Sequence, residues 1–215
     1  MIIYITETEA NMIKAILFDF DGVLTTDATG SMSICNYICM KTGLDINKFK
    51  NEYYKYNEDL LYGKTCHGEI WGKLCEGLNT EIDINILYES FINTPIDMRM
   101  TAIIDELKQQ NYKIGMVTDN KKDRIDSIVK YYDWNKIFDA VTVSAEIGSG
   151  KDYNEIFLKT IQSLNVSADE CVFIDNQEKN LIIPKSMGMN VIYFDHENRD
   201  YEKLMKEFKD LSIGF

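Results

Sequence analysis

From position 98 onward, short apolar runs alternate with amphipathic stretches, and this alternation restricts the fold more than any other feature. Lys113-Ile-Gly-Met-Val117, Cys171-Val-Phe-Ile174 and Asn190-Val-Ile-Tyr-Phe194 are rich in β-branched or aromatic residues and end at polar positions. Ala140-Val-Thr-Val143 is a weaker run of the same kind, and Lys14-Ala-Ile-Leu-Phe18 leads straight into Asp19-Phe-Asp-Gly22. Between them, residues 98–110, 121–132, 153–164, 178–187 and 201–211 carry apolar side chains at helical spacing. Strands alternating with helices predict βαβ units. The expected fold is α/β: a Rossmann-like parallel sheet with helices on both faces and right-handed crossovers.

Residues 26–97 break the pattern. They read as helices over about 31–42, 46–61, 67–77 and 83–93, punctuated by glycines, which makes them a small α-helical insertion after the first strand. The organisation is then an α/β core formed by 14–25 and 98–215, with a helical unit at 26–97. Met12 directly precedes the first strand, so residues 1–13 read as an N-terminal extension to which no function is assigned.

Charge and cysteines narrow the function. A formal net charge of -12 over 215 residues argues against nucleic acid or an anionic membrane surface as partner, because both need clustered Lys and Arg. No apolar run reaches membrane-spanning length, and the N-terminus lacks the basic start of a secretory signal, so a cytoplasmic location is expected. Five cysteines form no CxxC pair. Cys35 and Cys39 would share a helix face that a metal could use, but small reduced hydrophobes are the plainer reading. His67 and His196 have no nearby ligand partner and are expected at the surface, whereas Trp71 and Trp134 are expected to pack. The basic, aromatic segment 48–56 is flanked by acids and reads as a solvated helix face.

The chemistry lies in the residues at the strand ends. In an open parallel sheet, ligands bind outside the carboxyl ends of the strands. There stand Asp19 and Asp21, then Thr118-Asp119-Asn120, then Asp175-Asn176, with Lys151 at the mouth of a helix after Gly148-Ser-Gly150. Carboxylates, a hydroxyl and an ammonium converging on one crevice suit phosphoryl transfer to an aspartate, which splits one displacement into two. Mg²⁺ held by carboxylates from different strands would offset the repulsion between anions. Thr118 and Lys151 would hold the phosphoryl oxygens, and Asp21 is placed to protonate the leaving oxygen and then deprotonate water. Gly148–Lys151 is not a P-loop, because Ala145 stands where that motif needs its first glycine.

These motifs carry a resemblance. Phe18-Asp19-Phe-Asp21-Gly-Val-Leu24 resembles the first motif of the haloacid dehalogenase (HAD) superfamily in its phosphatase form. Val117-Thr118-Asp119-Asn120 is similar to the second, Ser144 through Lys151 to the third, and Phe173-Ile-Asp175-Asn176 through Asn180 to the fourth. All four follow the family's order from residue 14 onward. The resemblance implies that Asp19 is the nucleophile and Asp21 the general acid/base. It implies Mg²⁺ on the carboxylates of Asp19 and Asp175 and the main-chain carbonyl of Asp21. Thr118, Asp119 and Lys151 would bind phosphate, with Asn176 behind them. It also implies that the insertion is a cap and that the partner is a small phosphorylated metabolite. The departures are Asn176 where a second acid is common, Asp152 in place of a proline and Asp119 in place of an asparagine. The expected activity is a Mg²⁺-dependent phosphatase acting on a sugar phosphate or similar metabolite. A sugar phosphomutase and a non-catalytic binding protein of the same superfamily are the alternatives.

Overall fold

A computed structural model describes residues 12–214, so residues 1–11 of the expected extension lie outside the described residues. Strands β1 (Ala15–Phe18), β2 (Lys113–Thr118), β3 (Ala140–Val143), β4 (Cys171–Asp175) and β5 (Asn190–Tyr193) form one sheet in the order β3-β2-β1-β4-β5. Every pairing is parallel. β1 is central, and the strand order reverses beside it, which opens a crevice at its carboxyl end. Side chains alternate across the sheet. Ile16 and Phe18 join one apolar cluster with Ile114, Met116 and Val172, while Ala15 and Leu17 join a second with Val117, Phe157 and Phe173. Burial of both faces is why these strands read as near-continuous apolar runs.

Between β1 and β2 run α1 (Gly30–Thr42), α2 (Ile46–Leu61), α3 (His67–Leu78), α4 (Ile84–Ile92) and α5 (Met98–Gln109). Acidic side chains set where these helices begin: Asp45, Asp83 and Asp97 accept first-turn N–H groups of α2, α4 and α5. Thr25 and Ile96 form an antiparallel bridge, and Asp97 N–H reaches the Leu24 carbonyl at 2.9 Å. The chain thus leaves for α1–α4 and returns from them side by side.

The remaining helices are α6 (Lys122–Tyr131), α7 (Ser144–Ile147), α8 (Glu155–Leu164), α9 (Ile182–Ser186) and α10 (Tyr201–Asp210). The single helix expected over 178–187 is instead a 3₁₀ turn, Glu178–Leu181, followed by α9. Pro184 has no N–H to offer the carbonyl of Asn180, so one α ladder cannot run through the segment.

His67 is a correction. It is fully buried rather than at the surface, because its partners lie far away in sequence. Its Nε2 is 2.8 Å from the Tyr53 hydroxyl and its Nδ1 is 2.8 and 2.9 Å from the Asp123 carboxylate. Asp123 belongs to α6, so the contact ties the helical insertion to the core. Burial alone would raise the Asp123 carboxyl, but His67 outweighs it and holds it below the usual range. His196 is partly exposed. Trp71 and Trp134 are buried as expected, and Phe49 and Tyr53 turn inward while Lys48, Tyr54 and Lys55 face solvent. All five cysteines are free, and burial pushes the Cys35 thiol up to about 12.

Candidate active site

The site begins one residue past β1. Asp19 N–H still bonds the Ile174 carbonyl at 2.9 Å, so its side chain leaves at the carboxyl edge of the sheet. Gly22 then adopts φ +83°, and a Cβ there would come within 2.2 Å of Asn176 Nδ2, so only glycine fits. Thr25 N–H reaches back to the Phe20 carbonyl at 3.1 Å and closes a wide loop. Arg199 donates to the carbonyls of Gly22, Val23 and Thr25 and pins this loop from the far end of the chain.

A cavity of about 240 Å³ opens over this loop. Asp19, Asp21, Thr118, Asp119 and Lys151 line it, as their sequence positions suggested, together with Ser31, Tyr54 and Asn57 from the insertion. Asp175 and Asn176 are buried and do not line it.

Lys151 draws the first half of the site together. Its Nζ lies 2.8 Å from Asp19 Oδ1 and 2.6 Å from Asp175 Oδ2. Asp175 is fixed further by Asn180 Nδ2 and by the Gln177 N–H. The Asp119 carboxylate accepts the Lys151 N–H at 3.0 Å and anchors the turn that carries the lysine. Burial would depress the Lys151 ammonium, yet Asp19 and Asp175 outweigh it and raise it above its ordinary value. Asp19 is held well above the carboxylate range: burial raises it, Lys151 draws it down, and Asp175 and Asp21 push it up again. One ammonium shared between two buried carboxylates leaves a surplus of negative charge.

The second half was not foreseen. Arg124, with no exposed surface, grips Asp21: Nη1 is 2.8 Å from Oδ2 and Nη2 is 2.9 Å from Oδ1. Asn120 Nδ2 adds a third donor to Oδ2 at 2.7 Å. Lys121 is also buried, with Nζ 2.5 Å from Ser31 Oγ, and that hydroxyl donates to Asn57 Oδ1 at 2.8 Å. Burial, and then the Arg124 charge, bring Lys121 down to about 7. A signal for these residues was present in the sequence. Positions 121, 124, 125 and 128 follow the i, i+3, i+4, i+7 rule of a core-facing stripe, so two cations stand on the side of the helix where Ile125 and Ile128 are buried.

The donors available to a metal can be judged from this geometry. The Asp19 and Asp175 carboxylates and the Asp21 main-chain carbonyl are hard oxygen donors of the kind Mg²⁺ takes. Asn176 Oδ1 is buried without a hydrogen-bond partner, which leaves a further oxygen uncommitted beside them. Among the described residues no group of three His, Cys, Asp or Glu side chains is placed to hold a metal, and the Asp21 carboxylate is committed to Arg124. Two carboxylates and neutral oxygens suit a cation that keeps waters and shares its sphere with a phosphate oxygen.

The fold and this edge of the sheet define a class: doubly wound α/β enzymes that gather carboxylates and a lysine at the carboxyl ends of their strands. The sequence profile of the haloacid dehalogenase-like hydrolases matches residues 13–188, and the chain belongs to that family of hydrolases. It is 30% identical over 179 residues to the sesquiterpene phosphatase astK of Aspergillus oryzae, covering 82% of this chain and 87% of that protein. It is 26% identical over 184 residues to the β-phosphoglucomutase of Bacillus subtilis, covering 82% and 80%. The fold is shared with a HAD family enzyme of Bacteroides thetaiotaomicron solved with magnesium and inorganic phosphate (TM-score 0.69, 17% identity, 89% of this chain and 98% of that chain).

Proposed function

We propose that the protein is a Mg²⁺-dependent phosphatase that hydrolyses a small phosphomonoester through an aspartyl-phosphate on Asp19. The observation that carries this reading is the meeting of Asp19 and Asp175 on Lys151 at the cavity that also holds Asp21 and Thr118. In the first half-reaction Asp19 attacks phosphorus, the bond to the leaving oxygen breaks, and Asp21 gives that oxygen a proton. In the second, water attacks phosphorus, the Asp19–phosphorus bond breaks, and Asp21 takes the proton back. The Thr118 hydroxyl and the Lys151 ammonium hold phosphoryl oxygens as charge spreads over them. Mg²⁺, when bound by Asp19, Asp175 and the Asp21 carbonyl, supplies the positive charge that lets a carboxylate approach a phosphate.

Helices α1–α4 act as a cap in this reading, and they bring both polar and apolar groups to the wall: Ser31 and Asn57 beside Tyr54 and Leu61. A cavity of only about 240 Å³ favours a short ester over a long terpenoid chain. The similarity to β-phosphoglucomutase supports a second reading, transfer of the phosphoryl group back to a sugar. Free cysteines are compatible with a reducing, cytoplasmic setting. Pure protein assayed with Mg²⁺ against a panel of small phosphate esters decides between these readings. Phosphate release supports the phosphatase, isomerised sugar phosphate without release supports the mutase, and silence across the panel sinks both.

A further inference from the structure

The phosphatase reading gives Asp21 a proton to hand over, but its surroundings show something that role does not require. Both of its carboxylate oxygens accept N–H donors: Oδ2 takes one from Arg124 and one from Asn120, while Oδ1 takes a single one from Arg124 and keeps a lone pair free for a proton. Arg124 is itself fixed from several sides. Nη1 donates to Asn120 Oδ1 at 3.0 Å, Nη2 donates to Thr94 Oγ1 at 3.2 Å, and the guanidinium lies 5.1 Å over the Phe20 ring. Gly30, the first residue of α1, closes the remaining side. A Cβ there would stand 2.0 Å from Arg124 Nη1 and 2.7 Å from Asp21 Oδ2. The pair is thus enclosed by the loop after β1, by α6, and by both ends of the helical insertion.

We infer that Arg124 is the positioning residue for Asp21, setting where its carboxylate stands when it exchanges a proton with the leaving group. The inference rests on the reading of Asp21 as general acid/base. A bidentate guanidinium fixes the plane of a carboxylate as well as its position, which a lysine cannot do. Loss of that geometry falls on proton transfer, while Asp19, Asp175 and Lys151 keep their own contacts and nucleophilic attack is spared. The defect should therefore grow as the leaving group needs a proton more.

The test is kcat/KM, which reports the steps up to departure of the leaving group, for Arg124→Lys against three small substrates with Mg²⁺ present. Acetyl phosphate releases a carboxylate that needs no proton, p-nitrophenyl phosphate a weakly basic phenolate, and glycerol phosphate an alkoxide that cannot leave without one. We expect a loss of about 100-fold on glycerol phosphate, the scale of a misplaced general acid, and less than about threefold on acetyl phosphate. Asp21→Asn should show the same leaving-group dependence, and adding Arg124→Lys to it should lower kcat/KM no further. Arg124→Ala leaves the Asp21 charge buried without its partner, so its circular dichroism is checked first; where it folds, added guanidinium should restore glycerol phosphate turnover. Equal losses on all three substrates, or no loss on any, would overturn the inference. A wild-type protein silent on these three and on the whole panel of small phosphate esters would remove the phosphatase reading, and this inference with it.

Discussion

Two aspartates separated by one phenylalanine occupy opposite electrostatic settings. Asp19 shares a single lysine with Asp175, so its side of the cavity carries more acid than base. Asp21 faces Arg124 in a two-pronged pair, so its charge is matched by a guanidinium of its own. The same side chain, displaced by two positions along an extended turn, is under-neutralised in one place and matched in the other. The lesson is that assignment of roles within a carboxylate pair follows from which groups later in the chain reach each oxygen. The proposed cation would answer a surplus of acid on the Asp19 side.

The largest effect that can break this comparison is on turnover. Asp19→Asn should reduce phosphate release by at least about 10⁴-fold, because it removes the attacking atom. Asp21→Asn should cost about 10²- to 10⁴-fold, the range of a lost general acid/base. Equal losses at the two positions, measured as phosphate release with Mg²⁺, would erase the division of labour. Next, chelation by EDTA should abolish activity and added Mg²⁺ restore it, whereas full activity without metal would mean that Lys151 alone balances Asp19 and Asp175.

Stability offers the next contrast, and here the two sides should respond with opposite sign. Asp21→Ala strands a buried guanidinium and should cost about 3–5 kcal/mol in urea unfolding. Asp19→Asn relieves crowding between carboxylates and should stabilise the metal-free protein at pH 8 by on the order of 1 kcal/mol. Loss of stability in both variants would show that Asp19 is well compensated without metal.

The last contrast is one of pH dependence, and it comes from Lys121. Its amine titrates at about 7 in the fold and near the ordinary lysine value in the unfolded chain. Between those pH values the unfolded chain binds a proton that the fold does not, so stability rises with pH across that window. Below the window the full cost of burying the charge is present. Lys121→Met should therefore stabilise the protein by about 2 kcal/mol at pH 6, with the gain fading toward pH 10. A gain that is flat with pH would mean that the ammonium is already compensated by Ser31 and Asp21.

What could be read from the sequence divides along the same line. The strands, the four helices of the insertion and the Asp19, Asp21, Thr118, Lys151 and Asp175 positions were legible, because each sits where a local pattern ends: an apolar run that stops, or a glycine beside an acid. Lys121, Arg124 and His67 were not, because their meaning lies in partners distant along the chain. Lys121-Lys-Asp-Arg124 looks like an ordinary solvated helix start until its register is counted against Ile125 and Ile128. His67 needed both Tyr53 and Asp123 to explain its burial. The split of the 178–187 segment could have been read from Pro184 alone.

The central place of β1 has a consequence for how this molecule comes into being. Ala15 pairs with Lys113 and with Cys171, roughly 100 and 150 residues further along, so this strand waits for partners whose ring closures are long. During synthesis Asp19 and Asp21 emerge early and remain in water until β2, α6 and finally β4 have left the ribosome. The acids are ordinary solvated carboxylates until that moment, and acquire their unequal surroundings only when the sheet closes around them. The paired surroundings of the two acids are therefore complete only once β4 is in place, and a truncated chain ending before β4 would lack Asp175 and the bond from the Asp19 N–H to the Ile174 carbonyl.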